Sequence, residues 1–191
     1  MKTAFALILL ALLITSCEPS LSDKEIRQYR EDGDAIVKSA SEKLSGTLMA
    51  KMKEGGATEA IGFCHQSALP ITKKMSAYHD VKIKRTSLKV RNPDNLPNEE
   101  ELKVLQYYED RIAEGKELNP LVSLDRDGRP NYYAPIRVQM KCLMCHGTLN
   151  QELSAPIDSI LKAKYPEDLA VGYKEGELRG IWSLSFPEIK R

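Results

Sequence analysis

The sequence predicts an α+β fold, with helices first and a mostly antiparallel sheet later. Two patterns carry that expectation. Apolar residues recur at helical spacing from Ile36 to Ala68, and most of the segments that alternate apolar and polar residues come after them, two joined through a tight polar turn. A length of 191 residues suits one domain with a real core and falls short of two comfortable ones.

The chain opens on a segment set apart from that fold. Lys2 supplies a positive start, and Thr3 to Thr15 form an apolar run too short to span a bilayer as a mature helix. This is the pattern of a signal peptide, and it closes on Ile14-Thr15-Ser16-Cys17. That ending looks like a lipobox, in which Cys17 is lipidated and becomes the first residue after cleavage. Residues 1–17 are therefore expected to be a lipoprotein signal peptide. The protein would sit in the periplasm or cell envelope, anchored to a membrane by lipid and not crossing it. Glu18, beside the lipid site, leaves inner and outer membrane both open.

Residues 18–34 are polar and read as a tether leading into the first helix, with the folded domain at 35–191. Ile36, Ala40, Leu44, Leu48 and Met52 recur every fourth residue, one stripe of an amphipathic helix that Gly55-Gly56 should end. A second helix starts near Ala57 or Thr58 and runs into Pro70, with Ala57, Ala60, Ile61, Cys64 and Ala68 on its apolar face. Cys64 falls near the middle of that face and His65 at its edge. Val81 to Leu88 alternates like a strand, and Arg91 to Pro97 is a loop with two prolines. Asn98 and Glu101 form a capping pair for a third helix, with Leu102, Leu105, Tyr108 and Ile112 facing inward.

Leu121 to Leu124 and Asn131 to Val138 read as a hairpin around Asp125-Arg126-Asp127-Gly128. A short helix near Ile157 to Lys164 precedes a last strand, Gly180 to Phe186, on which Trp182, Leu184 and Phe186 share one face.

Charge excludes some partners. Setting Lys2 aside, 27 Lys and Arg balance 27 Asp and Glu, so neither nucleic acid nor an anionic membrane surface is expected as a partner. The chain has no internal repeat and no low-complexity tract.

The most specific feature is Cys142-Leu143-Met144-Cys145-His146, the C-x-x-C-H signature of c-type haem attachment. Two thiols spaced three apart can add to the two haem vinyl groups, and the next imidazole can reach the iron as an axial ligand. The motif occurs once, so a single covalent haem c is expected at Cys142, Cys145 and His146. Export and attachment agree, because haem c is made on the outer side of the bacterial inner membrane. A thioredoxin-type redox pair would follow an early strand and open a helix, whereas this motif comes after three helices and about three strands. A zinc site would need a second ligand pair, and none is present. Small class I cytochromes use a methionine downstream of the motif, and no methionine follows Met144. Four-helix-bundle cytochromes carry the motif late, but the strand patterns here do not fit a bundle.

The sixth iron ligand is open on this reading. With Cys17 assigned to lipid and Cys142 and Cys145 to haem, Cys64 is the cysteine left over. Helix geometry allows it to be a small core residue or a thiolate ligand that lowers the haem potential. His65, Met49, Met52 and Met75 are the other candidates. Arg85 and Arg91 are candidates for neutralising a haem propionate, against the plainer role of solvated surface arginines.

Several stretches resemble a known family. They are Ala60-Ile61-Gly62-Phe63-Cys64, Arg85-Thr86-Ser87 through Asn92-Pro93 to Asn95, Cys142 to Gly147, and Tyr165-Pro166 through Gly172-Tyr173 to Gly180. Together they are similar to a family of single-haem, PAS-like c-type domains found in bacterial periplasmic proteins and sensor ectodomains. The resemblance spans most of the chain after Cys17, and its Arg-Thr-Ser to Asn-Pro part is fairly specific. It implies a PAS-like antiparallel sheet with helices, and His/Cys axial ligation with His146 proximal and Cys64 distal.

The expected function is that of a membrane-tethered, extracytoplasmic monohaem c-type cytochrome acting in electron transfer or redox sensing. A haem-based gas sensor signalling through a partner is the alternative, and a haem peroxidase ranks below both. The sequence leans away from an enzyme and does not name the redox partner.

Overall fold

Ser22 opens the first helix, in a computed structural model that describes residues 20–188. The expected signal peptide and Cys17 lie outside the described residues. Helix α1 (Asp23–His79) starts with a capping box in which Ser22 Oγ accepts from the Glu25 amide and Glu25 accepts from the Ser22 amide. The stretch expected to be a tether is therefore helical from Asp23 onward. Its polarity hides one buried side. Tyr29 packs against Phe186 with ring centroids 5.0 Å apart, and Gly33 lies flat on the Tyr132 ring, where a larger residue would collide. Asp34 accepts the Tyr132 hydroxyl.

The break at Gly55-Gly56 is where the sequence puts it. Gly56 has φ 67° and ψ −153°, a combination open essentially to glycine alone. Beyond it the helix does not stop at Pro70 but continues to His79. Proline removes one amide donor, and the residue whose carbonyl it strands, Gln66, lies on the exposed side. One turn on, Thr72 Oγ1 donates to the Ala68 carbonyl at 2.9 Å. Asp80, left-handed at φ 52°, ends the helix, and Ser76 Oγ accepts the Ile83 amide at 2.9 Å, which ties the helix end to the first strand.

Four strands follow: β1 (Lys82–Thr86), β2 (Leu121–Leu124), β3 (Pro130–Arg137) and β4 (Leu178–Ser185). They form one antiparallel sheet in the order β1-β4-β3-β2. The β2–β3 hairpin turns at Asp125–Gly128, closed by the Gly128 amide on the Asp125 carbonyl at 3.0 Å. Alternation sends Ile83, Tyr132, Ala134, Trp182, Leu184 and Phe186 to one face, where they meet Ile36, Ala40, Leu44 and Ala68 of α1. Each such buried large side chain contributes about 1.5–3 kcal/mol.

The other face carries α2 (Glu99–Ala113), capped as expected by Asn98 and Glu101. Leu105 and Tyr108 pack there on Tyr133, Leu178 and Ile181, with Ile112 partly buried beside them. Leu102 does not face inward; it is 43% exposed. At 100° per residue the inward stripe runs 101-105-108-112, and Glu101 fills the place expected for Leu102. Its buried carboxylate is held by Lys84 Nζ at 2.7 Å and the Asn98 amide at 2.9 Å.

The remaining helices, α3 (Leu143–His146) and α4 (Ala155–Lys164), lie between β3 and β4 in the chain. Ile61 of α1 meets Leu153, Leu161 and Tyr165, so the second half of α1 packs on α4. The result is the expected α+β domain with a four-stranded antiparallel sheet, consistent with a PAS-like arrangement. Among the described residues no helix is long and apolar enough to cross a membrane.

Candidate functional site

Strand β3 ends at a register shift between Ile136 and Arg137, and a 3-10 turn at Met140–Cys142 then leads directly into α3. Helical spacing puts Cys142 and Cys145 on neighbouring positions of one face, with His146 next in line. Leu143 anchors the turn in a small core with Val138, Ala170 and Tyr173, while Met144 points outward at 42% exposed. The two intervening residues thus divide the work: Leu143 fixes the segment and leaves both thiols half-buried and free. Gly147 closes it tightly, since a Cβ there would press on the Glu152 carboxylate at 2.9 Å.

His146 Nδ1 lies 2.7 Å from the Ala170 carbonyl. A carbonyl only accepts, so Nδ1 carries the proton and the Nε2 lone pair is free. Burial, with Arg179 and Arg91 nearby, holds the imidazole well below its ordinary pKa, so it is neutral at pH 7. A neutral, oriented imidazole with one nitrogen tied to a carbonyl is the state an axial iron ligand requires.

Arg91 locks this segment from behind. Its Nε donates to Asp168 Oδ2 at 2.9 Å, and its Nη2 donates to the Cys145 and Ala170 carbonyls at 2.6 and 3.2 Å. Asp168 Oδ1 in turn accepts the Ala170 amide at 2.8 Å. One ion pair therefore holds both the second thiol's backbone and the carbonyl that orients His146.

Cys64 sits half-buried on the second half of α1, within electrostatic reach of Cys145, Arg85 and Arg91. Burial pushes its thiol pKa up and Arg85 opposes that shift. Cys145 is pushed up by burial in the same way, with Arg91 opposing. Tyr165, pushed up to about 12 by burial and then by Cys64, lies beside them. His65 is exposed, edge-on to Tyr165 at 5.1 Å, and borders an open cleft of about 570 Å³ with Leu69, Lys73, Lys164, Tyr165 and Arg91. Met49 is 49% exposed and Met75 packs into the core between α1 and the sheet.

Arg85, on β1, lies over the Trp182 ring with 5.5 Å between guanidinium carbon and centroid. Arg179, on β4, lies over Tyr173 at 5.4 Å and within reach of His146. The sequence reading missed Arg179, Asp168 and Tyr165. All three stand in the family-like stretch from Tyr165 to Gly180, where no local pattern gives them a role. A larger open groove of about 660 Å³, bordered by Lys84, Glu101 and Tyr133, belongs to the face of the sheet that carries α2.

Among the described residues no three His, Cys, Asp or Glu side chains gather as a ready-made metal cluster. The donors present suit an ion that brings its own equatorial nitrogens. Two free thiols at helical spacing, one neutral imidazole, a third thiol and half-buried arginines are a fit to a haem with two vinyl groups and two propionates.

The comparisons agree in kind. A family model described as Tll0287-like matches residues 20–187. The crystal structure of the cyanobacterial haem protein Tll0287 is similar, with 26% identity and a TM-score of 0.58 over 84% of this chain and 98% of that chain. No curated protein matches. With the family match running across nearly all the described residues, this chain belongs to the Tll0287-like family.

Proposed function

We propose that this protein is a monohaem c-type cytochrome of the cell envelope, tethered by lipid on Cys17, that works in electron transfer or redox sensing. The observation that carries the reading is His146, neutral and fixed by Ala170 at 2.7 Å, directly after the thiols of Cys142 and Cys145. The similarity to a cyanobacterial haem protein supports the cofactor. In this reading Cys142 and Cys145 would hold haem c through thioethers, and His146 and Cys64 would be the protein ligands of its iron. A bound haem c supplies a one-electron iron couple.

The chain's own residues do the rest. Arg91 and Asp168 keep the motif and the Ala170 carbonyl in register, and Tyr165 lies within electrostatic reach of Cys64. Two protein ligands leave no iron position for a substrate, which favours electron transfer or redox sensing over catalysis. A peroxidase would need an acid–base group facing an open iron, and His65, the one tempting candidate, is exposed on the cleft it shares with Tyr165. Gas sensing through a partner is the second reading, and it requires Cys64 to leave the iron.

Acid–acetone extraction of protein matured in a periplasm tests the proposal. Haem should stay with the polypeptide, and Cys142→Ser or Cys145→Ser should reduce it. Complete extraction from the wild type would end the c-type reading. Cys17→Ala should release the protein from membranes; equal retention of both forms after a salt wash would remove the lipid tether.

A further inference from the structure

We propose that Arg85 and Arg179 together form a dianion site that takes the two haem propionates, and that Arg91 has no part in it. The inference deepens the haem reading and rests on it. Four cations lie around the motif: Arg85, Lys89, Arg91 and Arg179. Asp168 is the carboxylate ion-paired among them, and it is spent, one oxygen on Arg91 at 2.9 Å and the other on the Ala170 amide at 2.8 Å. Among the described residues, no carboxylate pairs with Arg85 or Arg179.

The two arginines are also short of hydrogen bonds. Among the described residues the Arg85 guanidinium makes none, and it rests 5.5 Å above Trp182. Arg179 donates to the Lys89 carbonyl at 3.3 Å, hydrogen-bonds the Tyr173 hydroxyl and lies within the field of Asp168, with no carboxylate of the described residues in direct contact. An aromatic shelf holds a guanidinium plane by its face and leaves its N–H edge for a partner, and that edge matches a carboxylate bidentately. A guanidinium of this kind, half-buried and unpaired, is costly unless an anion answers it.

Placement then selects the anion. Arg85 lies opposite Trp182 in the β1–β4 pair, and Arg179 is the second residue of β4. Gly180, at φ 153°, brings β4 against the Thr86 carbonyl, which keeps the two arginine-bearing segments close. The two charges repel each other, Arg85 lying within reach of Cys64 and Arg179 within reach of His146. They thus neighbour each other, Arg85 toward Cys64 and Arg179 toward His146. Two repelling guanidiniums, with Lys89 Nζ 4.2 Å above the same Tyr173 ring, call for more than one negative charge carried by one molecule, and the haem edge with its paired propionates has that chemistry. Burial lowers both guanidinium pKa values, which is the same desolvation seen from the proton side. Arg91, already neutralised, is the clamp of the motif.

The test reads the pH dependence of the haem midpoint potential in the haem-loaded protein. Paired with arginine, the propionates stay ionised across about pH 5–8, and the wild-type potential should be nearly flat there. Arg85→Gln or Arg179→Gln should keep covalent haem on a denaturing gel yet introduce a step, the potential rising as pH falls and an unpaired propionate takes up a proton. Arg126→Gln, which removes an exposed charge paired with Glu99, should stay flat. Flat profiles in both site variants would overturn the inference while leaving covalent haem intact; absence of covalent haem from the wild type would instead overturn the haem reading. A structure of the haem-loaded wild type decides the matter even where a variant fails to mature. Either guanidinium beyond hydrogen-bond reach of both propionates rejects the site.

Discussion

Arg91 Nε lies 2.9 Å from Asp168 Oδ2, and the same guanidinium holds the Cys145 and Ala170 carbonyls. The pair spans 77 residues of sequence and is mostly buried, with side-chain exposures of 13% and 5%. It is the one ion pair of the described residues that touches the C-x-x-C-H segment.

Removing the arginine strands a buried carboxylate and frees two carbonyls. Arg91→Gln should therefore cost about 2–4 kcal/mol in denaturant unfolding. Arg91→Lys should recover less than half of that, because an ammonium cannot make the same planar three-way contact. A loss within about 0.5 kcal/mol for both variants would show that the clamp is ornamental.

On the distal side the two neighbours on α1 should behave differently. Cys64→Ala in the haem-loaded protein should open the iron, abolish any thiolate signature in EPR and let carbon monoxide bind readily to the reduced form. His65→Ala should leave the oxidised spectrum nearly unchanged, since His65 is exposed against Tyr165. The reverse pattern would give the ligand role to His65, and no change in either would make Cys64 ordinary core.

Without haem, stability should depend on His146. Its folded pKa lies below the ordinary value of about 6.5, so the neutral ring contributes stability that is present above that pH. It is lost as pH falls from about 6.5 toward the folded pKa, with a slope of at most about 1.4 kcal/mol per pH unit. His146→Gln should flatten the unfolding free energy between about pH 5 and 6.5. An unchanged slope in that variant would mean that another group sets it.

Two glycines of α1 should respond oppositely to alanine. Gly46 has nothing within 4 Å of its missing Cβ, so Gly46→Ala should stabilise by about 0.5–1 kcal/mol. Gly33 faces the Tyr132 ring, and Gly33→Ala should destabilise by about 1–3 kcal/mol despite the same gain in helix propensity. Thermal or urea unfolding of the two variants checks the signs. Equal signs would mean that the α1–sheet contact yields at Tyr132.

What could be read from sequence was local. The Asn98–Glu101 cap, the break at Gly55-Gly56, the hairpin at Asp125–Gly128 and the shared face of Trp182, Leu184 and Phe186 each need only a few neighbouring residues. The errors were local patterns overruled from a distance. Polar residues 23–34 became helix because Tyr29 and Gly33 meet Phe186 and Tyr132 across the core. Leu102 yielded its place to Glu101 because Lys84 of β1 reaches across to neutralise the carboxylate.

The candidate site divides in the same way. By itself the sequence determined that two thiols and an imidazole stand together at Cys142, Cys145 and His146, because residues three and four apart share one face of a single helical turn. Only the tertiary structure decided which nitrogen of His146 is free, that Arg91 is neutralised by Asp168, and that Arg85 and Arg179 are neighbours with no ion pair of their own among the described residues. Those relations join residues 24, 77 and 94 positions apart, and charge and hydrogen bonding are settled by distance in space, which a linear pattern does not contain.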